Sequence, residues 1–290
     1  NLVPRSGGTQ FRGSAFFNNA GDWSRGDNLT PELTAPPPGP NLSETPGIIN
    51  SYDVNVSYGG PIKRDRLWFF GSYRRLDTAA AVPGVVLNAN AYDASRWDWI
   101  QDPTVNARTL QGRESYIGRI TAQLTTKHRV SYNQEYQRRC EGSTLKLESD
   151  NGCNTRGTDW VGLGAGSTAP SPEANPSYFG NLPYHLNQAI WTAPMTNKLL
   201  LEAGFTRFMF RGGTTGRAQP DGIMNMIQVV EQSTARNPLT GLPFAPRANF
   251  AYRGVATANP NYANPNNWRA SASYVTGAHG VKAGYQGGYI

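Results

Sequence analysis

The side chains best suited to ligand chemistry lie close together in residues 92–99, which read YDASRWDW. Trp97 and Trp99 can stack on sugar rings or aromatic ligands, and Arg96 and Asp98 can hydrogen-bond to the same molecule. Tryptophans in such a segment also fit an aromatic belt or the packing of a loop. The segment is therefore the predicted ligand-binding site, and packing is the alternative.

Bond-making chemistry has much weaker support in the sequence. The three histidines lie far apart, and no spacing fixes a pair among the acidic residues near the tryptophans; these residues are His128, His185, His279, Asp93, Asp98, Asp102 and Glu114. The run VGLGAGS at residues 161–167 lacks the strand, helix and lysine of a phosphate loop. Motifs of zinc proteases, α/β-hydrolases and nucleotide-binding enzymes are absent from the sequence. We therefore predict that the chain is not an enzyme and uses no metal and no cofactor.

The two cysteines, Cys140 and Cys153, lie in one polar segment. Neither has a second cysteine or a histidine at the spacing of zinc ligands. A disulfide between them would close a short loop, stabilise the fold by ~3 kcal/mol and indicate an oxidising compartment. Two separate free thiols are the alternative.

Length and composition restrict the class of protein. The chain has 290 residues, of which 11% are aromatic, too many for a disordered chain. No run approaches the ~18 apolar residues of a membrane-spanning helix. The net charge of +7 is scattered along the sequence instead of clustered, so we expect no nucleic-acid partner.

Nine segments have the alternation of apolar and polar residues that is typical of β-strands. In YDVNVSY at residues 52–58, every second side chain is apolar, so one face of the strand is oily and the other polar. A short helix is predicted at residues 224–232. The nine predicted strands are residues 10–18, 51–58, 67–75, 115–124, 128–137, 186–192, 199–210, 268–275 and 281–289.

The connections between these strands alternate strictly between short turns and long loops. The long ones are residues 19–50, 76–113, 138–185 and 211–267, and they are rich in proline, glycine and asparagine. Membrane barrels of the bacterial outer membrane have short turns on one side and long loops on the other. The pattern predicts an all-β fold, an antiparallel up-and-down segment of about nine strands of a larger transmembrane β-barrel.

Two motifs resemble one family. Residues 1–14, NLVPRSGGTQFRGS, are similar to the junction between plug and barrel in TonB-dependent outer-membrane receptors, and residues 59–73, GGPIKRDRLWFFGSY, are similar to a hairpin of their barrel. The second motif is closest to the large Oar-like members. Arg74 and Arg75 stand where family members often have an acidic residue. The resemblance implies that residues 1–9 end a plug domain and that residues 10–290 form the N-terminal part of a barrel, incomplete at its C-terminus.

The resemblance also implies a function. The chain is expected to be part of a transporter in the bacterial outer membrane that takes up a scarce glycan, siderophore or peptide. Its expected partners are outer-membrane lipid, an unidentified substrate, and a TonB-type energising complex that acts through regions upstream of this sequence. A passive porin-like or structural barrel and a secreted soluble glycan-binding β-protein are the alternatives. Fractionation of the full-length protein separates the last from the first two.

Overall fold

The structure is a computed structural model. It describes residues 8–26, 29–35, 47–91, 93–141, 171–174, 184–214, 226–236, 238–239, 241, 244–254 and 259–290.

The described residues form a nearly all-antiparallel β structure. Its twelve strands are β1 (Arg12–Gly21), β2 (Ile48–Lys63), β3 (Leu67–Asn88), β4 (Gln101–Gln123), β5 (Arg129–Glu141), β6 (Tyr184–Pro194), β7 (Leu199–Thr214), β8 (Val229–Glu231), β9 (Phe250–Tyr252), β10 (Asn259–Ala263), β11 (Asn266–Thr276) and β12 (His279–Tyr289). One α-helix of a single turn, Pro31–Thr34, and two 3₁₀ turns, Asp22–Ser24 and Pro172–Ala174, complete the described elements.

The main sheet is a meander whose strands lie side by side in sequence order, with β8 and β9 outside it. Its order is β1-β2-β3-β4-β5-β6-β7-β11-β12, and β10 continues the line of β11 by pairing with the far end of β7. These nine strands confirm the nine predicted from the sequence and the antiparallel, all-β fold. Strands β8 and β9 form a separate small hairpin.

The predicted helix at residues 224–232 is wrong. Within the described part of this segment, residues 229–231 are the strand β8, which pairs with β9. Val229 and Val230 are β-branched and lose side-chain freedom in a helix, so they favour the extended form when a partner strand is present.

The two faces of the central strands β4 and β5 have the opposite of the usual exposure. On β4, Tyr116 and Ile120 are 44% and 52% exposed, whereas Thr121 on the other face is 1% exposed. On β5, Tyr132 is exposed while its neighbours Ser131 and Asn133 are buried. Water-soluble proteins place large apolar side chains inside. We call the side of Tyr116, Ile120 and Tyr132 the apolar face, and the side of Thr121, Ser131 and Asn133 the polar face.

Aromatic rings mark both ends of the apolar face. Near the short turns, the rings of Phe11, Tyr58 and Phe69 form a cluster with centroids 5.9–6.4 Å apart. Towards the long connections, a row of rings crosses four strands from β3 to β6, with centroid separations of 5.1, 6.2 and 4.8 Å; its members are Tyr73, Tyr116, Tyr136 and His185. Between Leu124 and Tyr116 the strand rises ~27 Å, or ~20 Å at a tilt of ~40°, which is close to the apolar band of a membrane barrel.

Charged side chains appear just beyond this aromatic row. Arg138 donates a 2.8 Å hydrogen bond from Nε to the Glu114 carboxylate, and the Tyr73 hydroxyl donates to the same carboxylate at 2.7 Å. Arg75 and Asp77 form a second ion pair at 3.0 Å. The apolar face therefore ends abruptly, at one level, on neighbouring strands.

The sheet is not closed within the described residues. Strand β1 pairs only with β2, and β12 pairs only with β11, so both outer strands have one free edge in this part of the chain. Among the described helices, none has the length and apolar character needed to cross a membrane.

Candidate functional site

Strands β3 and β4 carry the predicted ligand-binding segment far beyond the rest of the sheet. Their ladder continues from the pair Arg75–Glu114 to the pair Asn88–Gln101. About 13 residues on each strand lie past the charged row, a rise of ~40 Å. Within the described residues, β2 pairs with β3 as far as Ala80 and β5 pairs with β4 as far as Gln111.

Side chains of the segment itself hold the loop between β3 and β4. The Asn88 side-chain oxygen accepts hydrogen bonds from the backbone N–H of Asn90 (3.0 Å) and Ile100 (3.1 Å). The Asp93 carboxylate accepts from the hydroxyl (2.6 Å) and backbone N–H (2.9 Å) of Ser95, and these bonds lower the pKa of Asp93. The loop therefore has a defined shape before any ligand arrives.

Trp99 packs inside a small apolar core. Its indole is 6% exposed and meets the Phe250 ring edge-on at a centroid distance of 5.4 Å. Ala245 and Tyr252 complete the core, and Val229 packs against it. Most of the core comes from the connection between β7 and β10, so Trp99 joins two loops that are far apart in the sequence.

The other three predicted residues lie at the surface. Trp97 is 53% exposed, and the Arg253 guanidinium lies over its ring, 3.7 Å from the centroid. Arg96 and Asp98 form an exposed ion pair at 3.0 Å. The structure thus leaves Trp97, Arg96 and Asp98 accessible to a ligand, whereas the Trp99 indole occupies the position of a core residue.

Arg253 is the residue that brings these segments together. Its guanidinium donates to the backbone oxygens of Arg96 (2.9 Å), Ala94 (2.7 Å) and Ile227 (3.1 Å). The residue is 6% exposed and has a φ of 75°, a backbone conformation that residues other than glycine rarely adopt. Gly254 follows it, and a Cβ there would lie 2.2 Å from the Met226 carbonyl oxygen.

A third connection joins the same assembly through the buried Glu173. Its carboxylate oxygen accepts from the Asn88 side-chain amide at 2.8 Å and from the Arg253 backbone N–H at 3.3 Å. The Ser171 N–H donates to the Ala251 oxygen at 2.9 Å. We call this assembly of residues 88–91, 93–100, 171–174, 226–231 and 250–254 the loop cap.

Tyr252 links the core of the loop cap to its surface. The Tyr252 hydroxyl donates to the Trp97 backbone oxygen at 3.0 Å. Burial raises the pKa of Tyr252, and the carboxylates of Glu231, Asp98 and Glu173 add to the effect. The phenol therefore stays protonated and keeps donating over a wide range of pH.

Sequence reasoning missed Arg253, Glu173 and Asn88. Two partners of Arg253, Ala94 and Arg96, are more than 150 residues earlier in the chain, and no local pattern announces a positive φ at an arginine. The Gly254 that follows it was a weak signal of close backbone approach.

The remaining candidates are not brought together. His128 stacks on Trp191 and accepts a hydrogen bond from its indole at 3.2 Å, while His185 belongs to the aromatic row and His279 begins β12. Among the described residues, no three acidic, histidine or cysteine side chains are grouped as metal ligands. Cys140 is buried at the end of β5; Cys153 and the glycine-rich residues 161–167 lie outside the described residues. The disulfide stays a prediction.

Comparison with known proteins gives a distant relationship. No family model matches the chain. The chain is 28% identical over 148 residues to the TonB-dependent transporter Oar of Myxococcus xanthus. The matched region covers 46% of this chain and 13% of that protein. The structure is similar to the ferric-catecholate import receptor Fiu of E. coli K12 in its open form, with a TM-score of 0.38, 12% identity, and coverage of 82% of this chain and 35% of that one. At that TM-score the structural similarity supports no further conclusion, and the chain shows weak homology to a TonB-dependent transporter.

Proposed function

We propose that residues 10–290 are the N-terminal part of the β-barrel of a TonB-dependent transporter in the bacterial outer membrane, and that residues 1–9 end its plug domain. The observation that carries the proposal is the reversed exposure of the central strands β4 and β5, where Tyr116, Ile120 and Tyr132 are exposed and Thr121, Ser131 and Asn133 are buried. Backbone groups cannot stay unpaired in hydrocarbon, so a sheet with this exposure suits lipid only as part of a closed barrel.

Two features favour an energised transporter over a passive barrel. The sequence motifs at residues 1–14 and 59–73 resemble TonB-dependent receptors, in particular the Oar-like members. The similarity to Oar points to the same family, although the chain spans only 13% of that protein. In this proposal, the long connections capture a glycan, siderophore or peptide outside the cell, and a TonB-type complex drives its entry.

Within the loop cap, Trp97 is the proposed ligand contact, with Arg96 and Asp98 beside it. One ring face of Trp97 is covered by Arg253 and the residue is still 53% exposed, so the other face remains open for stacking. Trp99 contributes indirectly, because its indole holds the loop that presents Trp97.

The test uses the full-length protein in its native host. Cells are fractionated, and uptake of a labelled oligosaccharide, an iron–catecholate complex and a short peptide is measured with the energising complex present and deleted. Recovery in the outer membrane with uptake that needs the complex supports the proposal. Uptake that survives the deletion identifies a passive barrel, and recovery in the soluble fraction identifies a secreted binding protein.

A further inference from the structure

We propose that Arg253 is the positioning residue that joins three separate connections into one body, so that the loop cap presents Trp97 as a single unit. The inference rests on the proposed function only in taking the loop cap to face a ligand. The contacts of Arg253, Glu173 and Tyr252 join the loops whether or not a ligand binds.

The Arg253 guanidinium matches its hydrogen-bond partners in number and direction. A guanidinium carries five N–H donors in a planar fork. Here the fork points at carbonyl oxygens of two different connections, those of Ala94 and Arg96 on one side and that of Ile227 on the other. A buried charge needs such partners to offset its lost hydration. Separating the two connections would strip the guanidinium of part of this set.

Arg253 also binds the third connection, through its backbone. The Arg253 N–H donates to Glu173, and the Glu173 carboxylate also accepts from Asn88 at the tip of β3. One residue therefore contacts segments from the β3–β4, β5–β6 and β7–β10 connections. Its φ of 75° is costly for an arginine and is maintained only if the surroundings favour it.

Trp97 is held by the connection that contains Arg253. Its ring lies against the guanidinium, and its backbone oxygen accepts from the Tyr252 hydroxyl. Both contacts come from the β7–β10 connection. Movement of that connection would therefore change the orientation of Trp97 even though it lies about 150 residues away in the sequence.

The experiment measures the exposure of Trp99 by hydroxyl-radical footprinting of the full-length protein in membranes. Trp99 is a suitable reporter because Phe250, a residue of the β7–β10 connection, covers its indole. If Arg253→Lys and Arg253→Met release the β3–β4 loop, exposure of Trp99 should rise from 6% towards the 53% of Trp97, an increase of about ninefold in its oxidation rate. Lysine should not rescue, since one ammonium cannot replace the planar fork.

Arg247→Met is the matched control. Arg247 lies in the same connection and its guanidinium is 5.1 Å from the centroid of Phe250. Its replacement should leave the oxidation rate of Trp99 within about twofold of that of the wild type. An Arg253→Met protein in which Trp99 stays equally protected would overturn the inference, as would full rescue by lysine.

If the Arg253 variants do not reach the membrane, Tyr252→Phe provides a milder disturbance. It removes only the hydroxyl that donates to Trp97, so a smaller increase in Trp99 oxidation is expected, and no increase counts against the inference. Footprinting needs no substrate. A failed uptake assay would therefore contradict the proposed function and leave this inference standing, and the reverse also holds.

Discussion

Two neighbouring residues of β11 test directly whether the apolar face meets lipid. Ala272 lies on the apolar face, opposite Leu201 of β7 and Ala283 of β12. Ser271 lies on the polar face, and its hydroxyl is 3.5 Å from the Glu202 carboxylate. We compare Ala272→Arg with Ser271→Arg in the full-length protein, because the two changes add the same side chain one residue apart.

The expected magnitude follows from the depth of Ala272. It lies between Tyr274 and Trp268, aromatic residues of the same face and strand, and so near the middle of the apolar band. Arginine near a bilayer midplane costs about 2–4 kcal/mol in a membrane barrel. A cost of about 3 kcal/mol lowers the folding equilibrium constant by about 150-fold. Arginine at Ser271 gains Glu202 as a neighbour, and we expect a change below about 0.5 kcal/mol.

The measurement is reversible unfolding by guanidinium chloride in lipid vesicles, followed by tryptophan fluorescence and extrapolated to zero denaturant. Ala272→Leu separates size from charge and should cost little, because the added side chain stays apolar. Equal costs for the two arginine variants, or a larger cost at Ser271, would refute the reasoning about the two faces.

Three further predictions concern the loop cap and the cysteines. Trp99→Ala should open the loop cap locally, at a cost of about 3–5 kcal/mol, and speed thermolysin cleavage within residues 89–100. Trp97→Ala should leave cleavage unchanged and slow uptake. Unchanged uptake of every labelled substrate would remove Trp97 from the site. The pKa of Tyr252 is raised in the folded loop cap, so below pH ~10 the phenol is neutral in both the folded and the opened loop cap. Above that pH the phenol of the opened form loses its proton first, and the stability of the loop cap should fall. Tyr252→Phe should abolish this dependence when cleavage is followed from pH 8 to 11, and a fall that persists would contradict the assignment. Alkylation of denatured, unreduced protein should label neither Cys140 nor Cys153, and two labelled thiols would exclude the disulfide.

The sequence predicts the sheet well because a strand with one apolar and one polar face leaves a local signal, the alternation of apolar and polar residues. Residues 52–58 alternate within a few positions, and a tight turn in which Asp65 takes a φ of 59° joins them to the strand predicted at 67–75. Its far end was missed: β3 continues to Asn88, well past the predicted end at Arg75. Beyond the aromatic row the hairpin leaves the apolar band, so neither face needs a regular apolar pattern and the signal fades.

The loop cap was predicted only in part, for a different reason. Trp97 and Trp99 are two residues apart and look equivalent in the sequence, yet one packs against Phe250 and the other faces outward. Which of them is buried depends on a hairpin about 150 residues away. Long-range contacts of this kind leave no trace in composition or periodicity.

The height of the β3–β4 hairpin has a mechanical consequence for whatever binds at its tip. The part of the hairpin beyond Ala80, where the pairing of β3 with β2 stops, rises ~26 Å, and a sway of only ~5° would displace its tip by ~2.3 Å, enough to blur any fit at Trp97. The hydrogen bonds to Glu173 and Arg253 tie the hairpin to two further connections, which leave the sheet at β5 and β7. With strands ~4.8 Å apart, the points at which the three connections leave the sheet, from β3 to β7, span ~19 Å. The hairpin is therefore supported across a wide base instead of at one point.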